Sequence, residues 1–307
     1  MVSKLGDLLT EQRNPNSMKL DSASIREILE IINREDQIIA GRVAEQMDDI
    51  EAAARLVDRA FQNDGRLIYV GAGTSGRLGV LDASEIPPTY NASSERVQGF
   101  IAGGDVALRT AVEGAEDFPE NGATLIDEIG VTKHDVVMGI ATSGVTPYVL
   151  GSLERAKEFG AATVLFTCVE RNHILINVDV IISVPVGPEV ITGSTRMKAG
   201  TATKMVLNMI STTAMVKRGK VYENLMVDLK ATNVKLEDRA RRIISTITSC
   251  SYEEAVDLLA QAENYVKVAL VMHKSHASAA ESRLYLERFT GDVRQAIDEL
   301  EKSQTPD

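Results

Sequence analysis

Cysteine and histidine are scarce in this chain of 307 residues, and their spacing excludes the common metal and disulfide sites. The two cysteines, Cys168 and Cys250, have no spacing typical of zinc binding or of a disulfide framework. Cys168 follows an apolar run, so we expect a buried free thiol. The four histidines form no HExxH motif. His273 and His276 are three positions apart on a predicted helix, but no carboxylate motif accompanies them, so we expect no metal there.

Long apolar runs and an excess of positive charge are also missing. No segment approaches the about 20 apolar residues of a transmembrane helix, and the polar N-terminus holds no signal-like stretch. We therefore expect a cytoplasmic protein that spans no membrane. The 44 acidic and 33 basic residues give a formal net charge of −11, which repels nucleic acids and anionic membranes. A small phosphate site is compatible with this charge because a few donors act locally.

Five short apolar runs are present, and four of them end in residues typical of loops. They lie at residues 67–70, 97–102, 135–141, 162–167 and 180–184. The helices predicted between and after them cover residues 107–114, 147–159 and 194–218. Continuous apolar strands that alternate with helices are typical of a doubly wound parallel sheet covered on both faces. The predicted fold class is therefore α/β, with helices before the sheet.

Residues after 230 show only helical patterns. Apolar positions at spacings of three and four predict helices over residues 236–248, 252–273 and 277–300. Ser251 followed by Glu254 predicts a capping box at the start of the second of these helices. The sequence therefore predicts a small C-terminal helical bundle.

The first predicted strand runs into a glycine-rich loop, GAGTSG at residues 71–76. Its glycines fit the GxGxxG pattern of dinucleotide-binding loops, but such folds place an acidic residue roughly 20 positions on, whereas the second strand here ends about thirty positions on. Pro87 and Pro88 are expected to interrupt the following helix. Thr74 and Ser75 add hydroxyls to the N–H groups of a helix start, which suits a terminal phosphate. We therefore favour a phosphosugar over a dinucleotide.

Two further loops share this composition. ATSGVT at residues 141–146 follows the third strand, and GSTRMKAGT at residues 193–201 opens a long helix and adds Arg196 and Lys198, which can pair with phosphate or carboxylate. Ordinary turn and cap residues explain any one of these loops. Three of them at one edge of a sheet are better explained by a phosphate site.

Several longer motifs resemble those of one family. The loops at residues 71–76 and 142–146 are similar to the two phosphate-binding loops of the sugar isomerase (SIS) domain. The wider set resembles the N-acetylmuramic acid 6-phosphate etherase family and covers nearly the whole chain. It comprises GAGTSGRLG (71–79), LDASE (81–85), PPTY (87–90), IAGG (101–104), AVEGAED (111–117), TGSTRMKAGT (192–201), NLMVD (224–228) and ATN (231–233).

The resemblance implies both an architecture and an activity. The architecture is an arm with helices over residues 1–55, an SIS-type doubly wound five-stranded parallel sheet over 56–230, and a helical, UBA-like domain over 231–307. The activity is that of a lyase in cell-wall sugar recycling, which cleaves the D-lactyl ether of N-acetylmuramate 6-phosphate to N-acetylglucosamine 6-phosphate and D-lactate. The family resemblance also implies a homodimer that needs no metal and no cofactor.

The resemblance assigns roles to particular residues. The acid of the family is the glutamate of LDASE, here Glu85, and the other catalytic carboxylate is the second glutamate of VEGAE, here Glu116. The ligand-binding residues expected from the loops and from the SIS pattern are Thr74, Ser75, Gly76, Thr142, Ser143, Gly144, Thr146, Ser194, Arg196 and Lys198.

Spacing alone does not separate the catalytic candidates from their neighbours. Glu113, Asp117 and Asp82 compete with the two glutamates named above, and Glu113 and Glu116 are expected to share a helical face. Two other functions also fit a phosphosugar site. One is a non-catalytic regulator that senses a phosphosugar, although the chain has no basic recognition helix for DNA. The other is an aldose–ketose isomerase, which shares proton abstraction at C2 but releases no group from C3.

Overall fold

The computed structural model of the chain describes residues 9–229 and 234–304. The domain boundary expected at residue 230 and the ATN motif at 231–233 lie outside these ranges. Backbone contacts divide the chain into two units. The first comprises Met1–Glu85 and Ser93–Thr212, and the second comprises Ile86–Ala92 and Thr213–Asp307. Within the described ranges, no helix is both long enough and apolar enough to cross a membrane.

The first unit begins with short 3-10 turns over residues 9–22, here called the N-terminal arm, and three helices. The helices are α1 (Ile25–Asp36), α2 (Ile39–Ala44) and α3 (Met47–Gln62). Helix α1 starts with a capping box in which Ser24 accepts a hydrogen bond from the Glu27 N–H and Glu27 accepts one from the Ser24 N–H. Helix α3 buries one apolar stripe, which includes Val57 and Phe61.

A five-stranded parallel sheet forms the centre of the first unit, as predicted. Its strands are β1 (Leu67–Gly71), β2 (Val97–Ile101), β3 (Val136–Ile140), β4 (Ala162–Thr167) and β5 (Val180–Ser183). Their order across the sheet is β2-β1-β3-β4-β5, and Leu67 of β1 is in register with Val97 on one side and Val136 on the other. The chain order therefore reverses at β1, and ligands of such sheets bind outside the carboxyl ends of the strands at this switch point. Cys168, just after β4, is buried and free, which confirms that prediction.

Helices cover both faces of the sheet. They are α4 (Gly73–Tyr90), α5 (Gly104–Arg109), α6 (Pro119–Glu128), α7 (Pro147–Glu158) and α8 (Lys198–Lys217). Helix α4 packs very closely on the sheet, because a Cβ on Gly99 would lie 2.7 Å from Val80 Cα, and one on Gly76 would lie 2.6 Å from Ile101 Cγ1. Glycine at these positions lets the helix backbone approach the strands.

The expected interruption of α4 at Pro87 and Pro88 is wrong, because the helix continues through both prolines to Tyr90. Proline has no N–H, so the helix loses two backbone hydrogen bonds there. Burial of Ile86 and Tyr90, which both belong to the second unit, helps to offset this loss.

The helix expected over residues 107–114 is also wrong. Helix α5 ends at Arg109, and residues 110–118 form turns in which Gly114 has a φ of +71°. Because a positive φ is incompatible with a continuing helix, Glu113 and Glu116 do not share a helical face.

Besides the ends of α4 and α8, the described residues of the second unit form a short antiparallel hairpin and five helices. The hairpin pairs β6 (Val221–Tyr222) with β7 (Leu225–Met226), and the helices are α9 (Val234–Thr248), α10 (Tyr252–Gln261), α11 (Val266–Ser275), α12 (Ala279–Arg288) and α13 (Val293–Gln304). The capping box at Ser251 is confirmed. The two longer predicted helices are each divided in two, because Glu263, Asn264, Thr290 and Gly291 have positive φ and end α10 and α12.

Candidate functional site

The loop after β1 begins α4 at the switch point of the sheet. A Cβ on Gly71 would lie 2.6 Å from the Gly76 nitrogen, so only glycine permits this tight turn. Gly73 has a φ of +51°, the left-handed conformation that glycine adopts at little cost. The first N–H groups of a helix have no partner within the helix. Residues 73–75 therefore place such donors, with the helix dipole behind them, at the carboxyl ends of β1 and β3.

The hydroxyls of this loop are not used inside the protein. Within the described part of the chain, neither Thr74 nor Ser75 makes a side-chain hydrogen bond. Serines and threonines within the helices are different: Ser152 donates to the Tyr148 carbonyl at 2.8 Å, and Thr203 donates to the Ala199 carbonyl at 2.8 Å. The first loop therefore offers free hydroxyls beside free N–H groups, which is a favourable arrangement for an anion.

The loop after β3 has the same character. Gly144 has a φ of +75°, its N–H donates to the Ala141 carbonyl at 2.8 Å, and a Cβ there would collide with Ile174. Thr146 is the N-cap residue of α7, yet its hydroxyl makes no capping hydrogen bond. Ser143 Oγ accepts only a long hydrogen bond, 3.4 Å, from the Val145 N–H. This loop lies at the same sheet edge as the first loop, because β3 runs parallel to β1 and is its neighbour.

Glu116 is held against this second loop. The Tyr148 N–H, in the first turn of α7, donates to the Glu116 carbonyl at 3.0 Å. The adjacent Ala115 packs on the same apolar cluster as Ala72 of the first loop. The structure therefore fixes the backbone of Glu116 to the start of α7, next to the second loop.

The carboxyl group of Glu116 has an unusual environment. Although its side chain is exposed, partial desolvation raises its pKa, and the nearby carboxylates of Asp117 and Glu113 raise it further. A carboxyl group whose pKa is raised toward neutrality is better suited to proton transfer than an ordinary surface glutamate.

Glu85 occupies a different position. It lies on α4 ten residues after Ser75, which corresponds to a rise of about 15 Å along the helix axis, and its side chain is exposed. No hydrogen bond among the described residues joins it to either loop. A substrate anchored at the start of α4 must therefore extend along that helix to reach Glu85.

Asp82 serves as a structural acceptor. Its carboxylate accepts hydrogen bonds from the Tyr69 hydroxyl at 2.9 Å, Asn208 Nδ2 at 2.6 Å and Ser211 Oγ at 3.2 Å. Burial and the nearby Asp82 carboxylate raise the pKa of Tyr69 well above its usual value, so the phenol stays protonated and donates. These contacts connect β1, α4 and α8, and they leave Asp82 little capacity for catalysis.

The third hydroxyl-rich stretch, residues 193–201, is here called the third segment. A carboxylate of the protein itself occupies the helix start that it contains. Glu189 accepts hydrogen bonds from the Lys198 N–H at 3.0 Å and the Ala199 N–H at 2.9 Å, so it caps the start of α8. The Lys198 ammonium is buried and donates to Glu35 at 2.7 Å. Arg196 is exposed, and Ser194 is partly exposed. Nothing in the spacing of the sequence indicated Glu189 or Glu35, because their partners are distant or lie on the backbone.

Two family descriptions match the first unit. Residues 114–213 match the SIS domain, and residues 48–157 match the glucokinase regulatory protein N-terminal SIS domain. The parallel sheet, its switch point and the two hydroxyl-rich loops therefore define an SIS-domain protein.

Full-length relatives identify the family within this class. The chain is 50% identical to N-acetylmuramic acid 6-phosphate etherase 1 of Bacillus licheniformis, over 98% of this chain and 99% of the relative. It is also 50% identical to the N-acetylmuramic acid 6-phosphate etherases of Salinibacter ruber, over 97% and 96% of the two chains, and of Mycolicibacterium smegmatis, over 95% and 98%. The chain belongs to the N-acetylmuramic acid 6-phosphate etherase family.

Proposed function

We propose that this protein is an enzyme that cleaves the D-lactyl ether of N-acetylmuramate 6-phosphate, a carbon–oxygen lyase of cell-wall sugar recycling. Its products are N-acetylglucosamine 6-phosphate and D-lactate. The observation that carries the proposal is the pair of hydroxyl-rich loops at the switch point, with the backbone of Glu116 fixed next to the second loop, in a chain whose relatives of equal length bear the name of this etherase.

The phosphate is the anchor in this proposal. The start of α4 with Thr74, Ser75 and Gly76, and the second loop with Thr142, Ser143, Gly144 and Thr146, surround the dianion. The donors are the N–H groups of residues 73–75 and the hydroxyls of the two loops, whereas Gly76 and Gly144 shape the turns. Ser194 and Arg196 add donors from the third segment. An anchored phosphate fixes the reacting carbons relative to the carboxyl groups, and such positioning contributes several kcal/mol, by order of magnitude, to lowering a barrier.

The C3–O bond breaks more easily after the sugar ring opens. The aldehyde at C1 acidifies the proton on C2, and a base removes that proton. The C3–O bond then breaks, its electron pair departs on the lactate oxygen, and an acid protonates that oxygen. Water finally adds across the C2–C3 double bond, which returns a proton to C2 and places a hydroxyl on C3.

In this scheme Glu116 is the base and Glu85 is the acid. The raised pKa of Glu116 strengthens its carboxylate as a base. Glu85 lies farther along α4, so the sugar extends from the phosphate along the helix. The family resemblance extends the proposal to a cytoplasmic homodimer without metal or cofactor.

The direct test is incubation of the protein with N-acetylmuramate 6-phosphate, with D-lactate measured enzymatically and the sugar product by NMR. We expect equal amounts of lactate and N-acetylglucosamine 6-phosphate. In H2¹⁸O the label should appear at the C3 hydroxyl of the sugar and not in lactate, because the C3–O bond breaks. Absence of lactate contradicts the proposal, and a ketose product indicates an isomerase instead.

A further inference from the structure

A buried ionic cluster lies beside the start of α8. Lys198 is 1% exposed, and its Nζ donates to Glu35 Oε2 at 2.7 Å. Asn14 Nδ2 donates to the same oxygen at 2.7 Å, and Asn16 Nδ2 donates to Oε1 at 2.8 Å. Because an isolated buried charge is costly, both oxygens of Glu35 need these partners. The cluster joins the N-terminal arm, α1 and α8.

Residues of the N-terminal arm, including Asn14 of this cluster, also bind the backbone that leads into the third segment. Asn14 also donates to the Pro188 carbonyl at 2.9 Å, and Ser17 Oγ donates to the Val190 carbonyl at 2.8 Å. The Gly193 N–H donates to a carbonyl of the arm, that of Thr10, at 3.1 Å. The N-terminal arm therefore fixes residues 188–193, immediately before Ser194.

The charge of Glu35 favours a lasting ion pair with Lys198. Burial by itself raises the pKa of Glu35, but hydrogen bonds from Lys198, Asn16 and Asn14 outweigh this effect and hold the pKa below its usual value. Glu35 is therefore ionised at neutral pH. The ammonium of Lys198 forms its ion pair with Glu35.

The first turn of α8 also lies against the first phosphate loop. A Cβ on Gly200 would be 3.6 Å from Thr74 Cγ2 and 3.9 Å from Leu78 Cδ1. Because the two segments are this close, a shift of α8 toward α4 would displace Thr74 at the start of α4. Contacts that fix α8 also fix the place where the phosphate is proposed to bind.

We propose that Asn14, Glu35 and Lys198 are positioning residues. They keep the third segment and the first phosphate loop at the relative positions that binding of the phosphosugar requires. This inference rests on the proposed function for the identity of the sugar. It gives Lys198 a role through Glu35 and not through direct contact with the phosphate. It also makes the N-terminal arm a part of the binding machinery.

The test compares Asn14→Ala, Ser17→Ala and the neutral double variant Glu35→Gln/Lys198→Met with the wild-type protein. The probe is N-acetylglucosamine 6-phosphate, with Kd measured by calorimetry, and KM and kcat are measured with N-acetylmuramate 6-phosphate. We expect Kd and KM to rise about tenfold in Asn14→Ala, with little change in kcat and none in the pH profile, since the reacting carboxyl groups are intact. Ser17→Ala should shift Kd in the same direction by less.

Asn33→Ala is the matched control, because Asn33 is an exposed asparagine on α1 whose side chain, among the described residues, bonds only Gln37. It should leave Kd unchanged. If Asn14→Ala and Ser17→Ala fold with an unchanged Kd, the cluster only stabilises the fold and the inference is overturned. If the double variant does not fold, these two milder variants still decide.

The two proposals can fail separately. A wild-type protein that binds N-acetylglucosamine 6-phosphate but releases no lactate contradicts the etherase proposal, while the Kd comparison still tests the positioning network. A wild-type protein that binds no phosphosugar overturns both.

Discussion

Two long helices that begin in the first unit, α4 and α8, start from glycine- and hydroxyl-rich segments of similar composition, yet their starts are built in opposite ways. At the start of α4, Thr74 and Ser75 make no side-chain hydrogen bonds among the described residues. At the start of α8, Glu189 accepts hydrogen bonds from two backbone N–H groups. A helix start is available to an outside anion only where the protein supplies no carboxylate of its own.

This difference separates the candidate site into a part that binds the ligand and a part that supports it. At the start of α4 the hydroxyls of Thr74 and Ser75 have no side-chain partner among the described residues, and the neighbouring second loop lies next to Glu116, so we propose that these two segments bind the ligand. The start of α8 is closed by Glu189 and tied by Lys198 to Glu35, so it is assigned to support. The variants below test this division, from the largest expected effect to the smallest.

The largest effect is expected at the open edge. Glu116→Gln keeps the size of the side chain but removes the base, so kcat should fall by about 10²- to 10⁴-fold with little change in KM. The measurement is the initial rate of D-lactate release. Glu113→Gln, three residues away in the same turn region, is the control and should retain most of the activity. Equal losses in both variants would contradict the assignment of Glu116.

Removal of the cap at the closed helix start should mainly reduce stability. Glu189→Ala leaves two buried N–H groups without an acceptor, so we expect the free energy of unfolding to fall by about 2 to 3 kcal/mol. The measurement is urea unfolding followed by circular dichroism. Glu158→Ala, at the exposed end of α7, is a suitable control and should change the stability by less than about 0.5 kcal/mol. An unchanged stability of Glu189→Ala would remove the distinction between the two helix starts.

A hydroxyl at the open helix start should contribute to affinity. Ser75→Ala removes one donor to the phosphate, and hydrogen bonds to charged groups contribute about 1.5 to 3 kcal/mol, so Kd for N-acetylglucosamine 6-phosphate should rise by about tenfold or more. Ser194→Ala, just before the closed helix start, should raise Kd by less. The opposite ranking in calorimetry would reverse the roles given to α4 and α8.

Local sequence patterns were sufficient to predict the sheet but not the closed helix start. The five runs predicted all five strands, because buried parallel strands are mostly apolar; the edge strand β2, which holds Gln98 and Gly99, is less so. The carboxylate of Glu189 and the pair of Glu35 with Lys198 were beyond prediction, because they join residues far apart in sequence or satisfy backbone groups. The wrong prediction at Pro87 and Pro88 has a related cause. Proline lowers the local helix propensity, but the burial of Ile86 and Tyr90 depends on tertiary packing, which local propensity does not include.

Among the site residues, sequence spacing found the loops and left the carboxyl groups unresolved. Spacing alone leaves Asp82 as good a candidate as Glu85, whereas its three hydrogen-bond donors give Asp82 a structural role. Glu113 competed with Glu116 on the assumption of a shared helix. The turn at Gly114 removes that assumption, and the hydrogen bond from Tyr148 selects Glu116 as the residue fixed to the second loop.

The smallest expected effect concerns the pH dependence at the open edge, and its direction distinguishes the two possible roles of Glu116. Glu113 and Asp117 raise the pKa of Glu116, so the double variant Glu113→Gln/Asp117→Asn should lower it. A base must be deprotonated, so the acid limb of kcat/KM should then move to lower pH by a fraction of a unit. If Glu116 is instead the acid, the alkaline limb should move to lower pH, because the group then loses its proton sooner. Profiles at low ionic strength are needed, since salt screens these exposed charges, and unmoved limbs would show that Glu116 does not govern the profile.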